Sequence, residues 1–368
     1  MVNSTDVFVI GGGPAGLAVG IAARRRGLRV MVADGAEPPI DKPCGEGLMP
    51  DGRAALAKLG VSIPRENSHF FRGIRFVSGT LRVEASFPNG MGVGVRRTVL
   101  HGLMVERANA AGVSLSWRTP VTGLHPEGVR LGEHVVRARW VVGADGGHSL
   151  VRQWAGLDRY LCNRTRFAFR RHYRVPPWTQ CMELYWGPRC QIYVTPVTAN
   201  EICVALISGD QHLRLDTALT AFPALAARLR AAVPASVERG AVSSTRKLKR
   251  VSTGRVALAG DASGTVDAIT GEGLCLSFRQ AEALAECLAA GDLRSYQRTH
   301  RKLAKRPALM AHLMLTLDWK SSFRQRVMRA FSSDPRLFAR MLAMHVGALS
   351  PVDFAATGLS LGWQVLNA

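Results

Sequence analysis

Three glycine-rich segments hold the residues whose types and spacing could do chemistry. The first is Gly11-Gly12-Gly13-Pro14-Ala15-Gly16, a G-x-G-x-x-G. It follows the β-branched and aromatic run Val7-Phe8-Val9-Ile10 and opens a helical stretch over residues 14–26, after which Val30–Ala33 leads into Asp34. Strand, glycine turn, helix and strand form a βαβ unit of the dinucleotide-binding kind. Gly11 permits the tight turn, Gly13 lets a pyrophosphate approach the backbone, and Gly16 lets the helix pack close to the strand. The helix N-terminus, with free N–H groups and the positive end of its dipole, then meets the phosphates, and Asp34 is placed to accept hydrogen bonds from an adenosine ribose. This pattern alone does not separate FAD from NAD. The second segment runs from Gly143-Ala144-Asp145-Gly146-Gly147 to His148-Ser149-Leu150-Val151-Arg152 at the end of a buried strand, and the third is Gly260-Asp261-Ala262 at the end of another.

The second segment resembles the G-A-D-G-x-x-S-x-V-R motif of the flavoprotein hydroxylases typified by para-hydroxybenzoate hydroxylase, and the third resembles the later Gly-Asp motif of that superfamily. All three stand in the family order over residues 7–290. The resemblance implies bound FAD, with NADPH or NADH as a transient reductant, and it sets Asp261 against the ribityl or ribose-side hydroxyls. Arg97, followed by Leu100 and Leu103, matches an Arg that lies near the flavin in the family. His101 stands where an Asp is common and reads as a solvent-facing helix residue. Thr270-Gly271-Glu272-Gly273 matches the loop whose backbone N–H groups meet the pyrimidine edge of the flavin, with Ala268 where many relatives have Pro. The implied cofactor-binding residues are therefore Gly11, Gly13, Pro14, Ala15, Gly16, Asp34, Cys44, Gly45, Arg97, Asp145, Gly260, Asp261, Gly271 and Gly273, with no metal.

Cys44 and Gly45 enter that set through Lys42-Pro43-Cys44-Gly45-Glu46-Gly47-Leu48, which resembles the C-G-E-G segment of geranylgeranyl reductases; its Gly-Glu-x-Leu-x-Pro part is similar to flavin-dependent halogenases. Cys44 reads either as a group beside the flavin ring or substrate channel, or as a small buried apolar residue. The halogenase W-x-W-x-I-P signature is absent around Trp154, Trp178 and Trp186, and the reductase Y-x-W-x-F-P is reduced here to Tyr193-Val194-Thr195-Pro196. The resemblance implies an FAD-dependent oxidoreductase, first an NAD(P)H-dependent monooxygenase acting through the flavin C4a position on a small aromatic or polyketide-like substrate. An alkene reductase of the geranylgeranyl type is the alternative, followed by a halogenase or a non-enzymatic basic flavoprotein. No acid or base is assigned: His172, Tyr173, Tyr185 and Tyr193 alternate with apolar residues on expected strands, where structural roles are the plainer reading.

The expected fold class is α/β. A Rossmann-like FAD-binding domain of the para-hydroxybenzoate hydroxylase fold covers residues 1–75, 95–157 and 245–290. An antiparallel-sheet substrate domain covers 76–94 and 158–244, and a helical region covers 291–368. Strands are expected over 167–173, 182–186, 191–195 and 202–206, and helices over 51–59, 98–111 and Gly273–Ala290. The glycine-rich stretch 90–94 reads as a turn or strand bulge. Met310, Met314, Met328, Met341 and Met344 read as packing residues, and Arg324, Arg326, Arg329, Arg336 and Arg340 as a solvated face with possible membrane-surface contact.

At 368 residues, 47% hydrophobic and 20% charged, the chain has material for a large core and is no disordered segment. The formal charge of +21 is spread along the chain and aromatics are 7%, so no nucleic-acid stripe appears and a small-molecule substrate is the expected partner. The 7 cysteines include no C-x-x-C pair and suggest a reducing compartment. The uncharged run 7–23 is glycine-rich and follows Asp6, so it reads poorly as a signal peptide and a cytoplasmic location is expected.

Overall fold

The computed structural model describes residues 4–349 and Asp353; the rest of the expected helical C-terminal region lies outside the described residues. Its helices are α1 (Pro14–Arg24), α2 (Pro50–Lys58), α3 (Arg97–Ala110), α4 (Leu150–Trp154), α5 (Leu215–Leu219), α6 (Pro223–Leu229), α7 (Gly273–Ala290), α8 (Leu293–Trp319), α9 (Ser321–Ser333) and α10 (Pro335–His345).

Strand Ser4–Ile10 reads Val-Phe-Val-Ile without alternation because both of its faces are buried: Val7, Phe8 and Val9 are fully removed from solvent. It pairs in parallel with Val30–Ala33 on one side and with His134–Gly143 on the other. The parallel set is completed outward by Ser114–Ser116 and by Val256–Leu258. A hairpin of Gly123–His125 and Gly128–Leu131 adds to His134–Gly143 in antiparallel fashion. Helix α7 packs against α1 and stops at Gly291, whose φ of 73° is the left-handed conformation that closes helices.

A second sheet is mostly antiparallel and runs in the order Val233–Pro234, Tyr160–Arg174, Glu201–Ser208, Cys190–Thr198, Cys181–Gly187, Gly73–Ser78, Leu81–Ser86, with Arg239–Leu248 also paired to Tyr160–Arg174. Helices α8, α9 and α10 cover one face of it. There the Phe76 ring lies 4.7 Å from that of Phe338, which in turn lies 5.2 Å from Phe331. The five C-terminal methionines are buried in this core. Arg326, Arg329, Arg336 and Arg340 are exposed, whereas Arg324 is buried, contrary to the expectation of a uniformly solvated face. Its Nη1 donates to the Leu317 carbonyl at 3.0 Å, because α9 folds back beneath the end of α8. Among the described residues no helix is long and apolar enough to cross a membrane.

A small third sheet joins Gly47–Leu48, Gly92–Gly94 and His69–Phe71. The stretch expected as a turn or bulge is thus partly a strand. Its glycines serve close packing: a Cβ on Gly94 would fall 1.7 Å from the Pro196 carbonyl oxygen of the second sheet.

Truncating Phe331, which is 1% exposed, removes the ring that joins α9 to α10. Phe331→Ala is expected to lower unfolding free energy by about 3–5 kcal/mol in urea titration, with the slope unchanged.

Candidate functional site

The carboxyl ends of the parallel strands and one face of the second sheet enclose a cavity of about 710 Å³, the size and place of a cofactor site in a doubly wound fold. Gly11, Gly13, Pro14 and Ala15 form one wall. Gly11 has φ 111°, and a Cβ there would lie 2.4 Å from the Ala144 oxygen. Gly16 does not reach the cavity. It sits behind the turn, where a Cβ would meet the Gly11 oxygen at 1.8 Å, so its task is helix–strand contact. Gly13 faces open space, with nothing within 4 Å of its Cβ position.

Asp34 also lines the cavity, and its carboxylate fixes the turn: Oδ2 accepts from the Gly12 N–H at 2.6 Å and Oδ1 from the Ala36 N–H at 2.8 Å. His101 is not solvent-facing. It is fully buried on the sheet side of α3, with Nε2 at 2.9 Å from the Gly12 oxygen and Nδ1 accepting from the Ile40 N–H at 3.4 Å. Burial lowers its pKa, so a neutral imidazole braces the glycine turn from behind.

Asp145 and Arg97 bring orphaned polar atoms to the same space. Asp145 Oδ2 accepts from the Val151 N–H at 3.1 Å, but its Oδ1 and the Arg97 Nε are buried without a hydrogen-bond partner among the described residues. Such groups call for a polar ligand. Lys42 Nζ donates to Asp261 Oδ2 at 2.8 Å across the cavity's rim. Gly260, with φ 59°, donates its N–H to Gln280 Oε1 at 2.9 Å. Gly271, with φ 66°, ends the 3-10 turn Ala268–Thr270, and Gly273 starts α7, so that helix N-terminus forms part of the wall. An open glycine, unpaired polar groups and two helix N-termini fit the phosphates and hydroxyls of FAD.

Cys44 and Gly45 line the cavity as well, and their placement depends on residues that the sequence reading did not assign. Glu46 has φ 58°, a left-handed backbone that a side chain disfavours. Its fully buried carboxylate accepts from the Arg97 N–H at 3.0 Å, from Arg170 Nη1 at 3.2 Å and pairs with His172 Nε2 at 2.6 Å. Arg170 also reaches Asp41 at 2.9 and 3.0 Å, and His172 Nδ1 lies 2.9 Å from Ser236 Oγ. The available signal was the alternation of Arg170 and His172 on one strand face, but only tertiary contact reveals that Glu46 faces them. Glu46, His172 and Cys203 bring ligand-type atoms within 4.8 Å of one another. The Arg170 guanidinium already bonded there disfavours a cation. Burial raises the Cys44 thiol's pKa, so it stays protonated.

On the side of the cavity formed by the second sheet, Ala168, Met182, Ala205 and Ile207 make an apolar patch, beside which Arg170, Ser243, Ser244 and Arg246 of the same sheet bring polar groups. Of the four titratable candidates on the strands, Tyr193 reaches the cavity; its hydroxyl donates to the Ile269 oxygen at 2.6 Å, and burial raises its pKa. Tyr185 instead donates to Glu183 Oε2 at 3.0 Å, and Tyr173 meets Arg171. A smaller pocket of about 30 Å³, sharing Met49, Met182 and Tyr193 with the large cavity, extends between the second sheet and helices α8 and α10.

Two outcomes follow from this geometry. Gly13→Val leaves the protein's own packing undisturbed and fills the open side of the turn, so the purified variant is expected to fold normally yet retain at least tenfold less FAD, read from its visible absorbance. His300 Nε2 lies 2.9 Å from Ser263 Oγ and 3.0 Å from Gln280 Nε2, buttressing the Gly260 turn, and burial lowers its pKa to about 4. The unfolded chain, with the ordinary value of 6.5, binds this proton first, so stability is lost as pH falls from about 6.5 through 4. FAD release across that window should shift to lower pH in His300→Gln.

The profile of the FAD-binding-domain family matches residues 4–294. A digeranylgeranylglycerophospholipid reductase of Methanocella arvoryzae is 28% identical over 323 residues, covering 80% of this chain and 80% of that protein. A solved flavoprotein/dehydrogenase from Cytophaga hutchinsonii is similar with a TM-score of 0.80 at 18% identity, over 94% of this chain and 93% of the other. The structure of pqsL from Pseudomonas aeruginosa, described as a probable FAD-dependent monooxygenase, has a TM-score of 0.72 at 21% identity, over 86% and 97% of the two chains.

Proposed function

The chain belongs to the FAD-binding-domain family and is an FAD-dependent oxidoreductase; from that premise we propose that it reduces a carbon–carbon double bond in an apolar, prenyl-like substrate, with NADH or NADPH as reductant. The observation that carries this reading is the apolar patch on the second sheet's wall. Its lining of Ala168, Met182, Ala205 and Ile207 continues into a methionine-rich pocket, a surface suited to a hydrocarbon chain. Cys44 lies on the cavity wall within the segment that resembles geranylgeranyl reductases, and a reductase of prenyl lipids is among the relatives.

Bound FAD supplies the two electrons of the reaction. The chain's own residues do the rest: the glycine turns and Arg97 hold the cofactor, the apolar wall aligns the alkene and excludes water, and Cys44 holds at Sγ a proton for the carbon that needs one. Hydroxylation of a small aromatic or polyketide-like substrate was the reading placed first from sequence; where that substrate is a phenol, the reaction gains rate from a base that ionises it. Of the four tyrosine and histidine candidates on the strands, Tyr193 lines this wall, and its hydroxyl is already engaged with Ile269.

Anaerobic incubation of FAD-loaded protein with NADPH and geranylgeraniol is the test. The expected product has gained two hydrogens per saturated double bond, with no oxygen consumed. Substrate-dependent oxygen uptake matched by a hydroxylated product, and no anaerobic turnover, would overturn reduction in favour of oxygen transfer.

A further inference from the structure

Helices α8, α9 and α10 pack their apolar sides on the same face of the second sheet, so the sides they turn away from it form one outer surface. On α8, Lys302, Lys305, Leu309, His312 and Trp319 are exposed at the spacing of a single helical stripe, while Met310, Met314 and Leu317 face inward. Arg326 and Arg329 of α9 and Arg336 and Arg340 of α10 are exposed opposite the buried Met328, Phe331, Phe338 and Leu342.

Two properties set this surface apart. The first is charge: residues 293–345 contain 12 Lys and Arg against 2 acids, Asp318 and Asp334. Asp318 is turned toward the sheet, where it pairs with Arg166 at 3.4 Å and accepts from Gln191. Asp334 caps α10, with Oδ1 accepting from the Arg336 N–H at 3.0 Å. Neither acid neutralises the outer stripe. The second property is hydrocarbon left in water. Trp319, where α8 ends, is 83% exposed, with Lys320 Nζ 5.4 Å from its ring centroid, and Leu309 is 44% exposed. Such side chains gain free energy in an apolar phase.

An anionic phospholipid surface satisfies both properties. Its charge attracts Lys and Arg, and its headgroup layer takes up Trp and Leu side chains beside them. Nucleic acid would meet the charge but leave Leu309 in water. Trp319 is also the one exposed aromatic ring among the described residues of these helices, too few for a stacking platform. We propose that the outer surface of α8 to α10 docks the protein on an anionic phospholipid bilayer, with Trp319 and Leu309 in the headgroup layer and the basic side chains on the phosphates. The same helices supply Met310, Met314, Phe338 and Met341 to the outer side of the methionine-rich pocket. Docking therefore brings that pocket within one helix diameter, about 10 Å, of the lipid. The docking goes beyond the reaction proposed above and does not depend on it.

Sedimentation of the FAD-loaded protein with phosphatidylcholine vesicles, with and without phosphatidylglycerol, reads docking without turnover. Binding is expected to be tighter by about tenfold or more when phosphatidylglycerol is present, and to weaken as salt is added. Arg329→Gln combined with Arg340→Gln should weaken it about 25-fold, at about fivefold per charge. Trp319→Ala should weaken it severalfold and remove most of the blue shift of tryptophan emission on binding. Arg130→Gln combined with Arg230→Gln removes the same charge elsewhere: Arg130 is exposed on the hairpin of the first sheet, and Arg230 ends α6, which packs on the opposite face of the second. That double variant should stay within about twofold of the parent. Equal affinity for the two vesicle types, equal losses in the two double variants, an emission shift unchanged in Trp319→Ala, or tighter binding to duplex DNA than to vesicles would each overturn the docking surface.

Discussion

The carboxylate of Glu46 is removed entirely from water, and the arrangement of the cavity depends on its being paired there. An isolated carboxylate at that depth would be expelled or protonated. Arg170 and His172 of the second sheet and the backbone N–H of Arg97 at the start of α3 supply its partners. One side chain thereby ties the two sheets together and holds its own backbone left-handed, which sets Cys44 and Gly45 on the wall. Breaking such a buried pair from one side costs about 3–5 kcal/mol, most of it from the charge left behind.

The cavity divides by polarity along the same line. The wall made by the first sheet offers backbone N–H groups, helix ends and unpaired polar atoms, which suit a charged, hydroxyl-rich cofactor. The wall made by the second sheet offers methyl groups and a thioether at Ala168, Met182, Ala205 and Ile207, with Arg170, Ser243, Ser244 and Arg246 beside them. Helices α8 to α10 extend that apolar surface outward, and their buried methionines can adjust to a flexible chain. A second charged cluster bridges these parts: Arg166 donates to Asp267 at 3.0 Å and to Gln191 at 2.5 Å, and lies 3.4 Å from Asp318 near the end of α8. Asp267 caps the turn before Gly271, so the C-terminal helices and the flavin-side loop share one anchor.

Several sequence readings changed on meeting the fold, each for a local reason. His101 is buried because the face of α3 that carries it turns toward the glycine turn. The glycines at 92 and 94 are strand residues because Phe71 and the Pro196 carbonyl occupy the space their side chains would need. Arg324 is buried because α9 reverses under α8. Gly16 keeps the role read for it, close helix–strand packing, and does so from behind the turn without lining the cavity.

The βαβ unit, the three glycine motifs and the ends of most major elements were legible in the sequence, since each depends on short-range rules. Apolar period, glycine at a required backbone angle, and proline at a helix start act within a few residues of themselves. Glu46 beside Arg170 and Arg166 beside Asp318 depend on side chains from distant segments meeting in the interior. No periodicity encodes those meetings, and the low dielectric that makes them matter exists only once the core has closed.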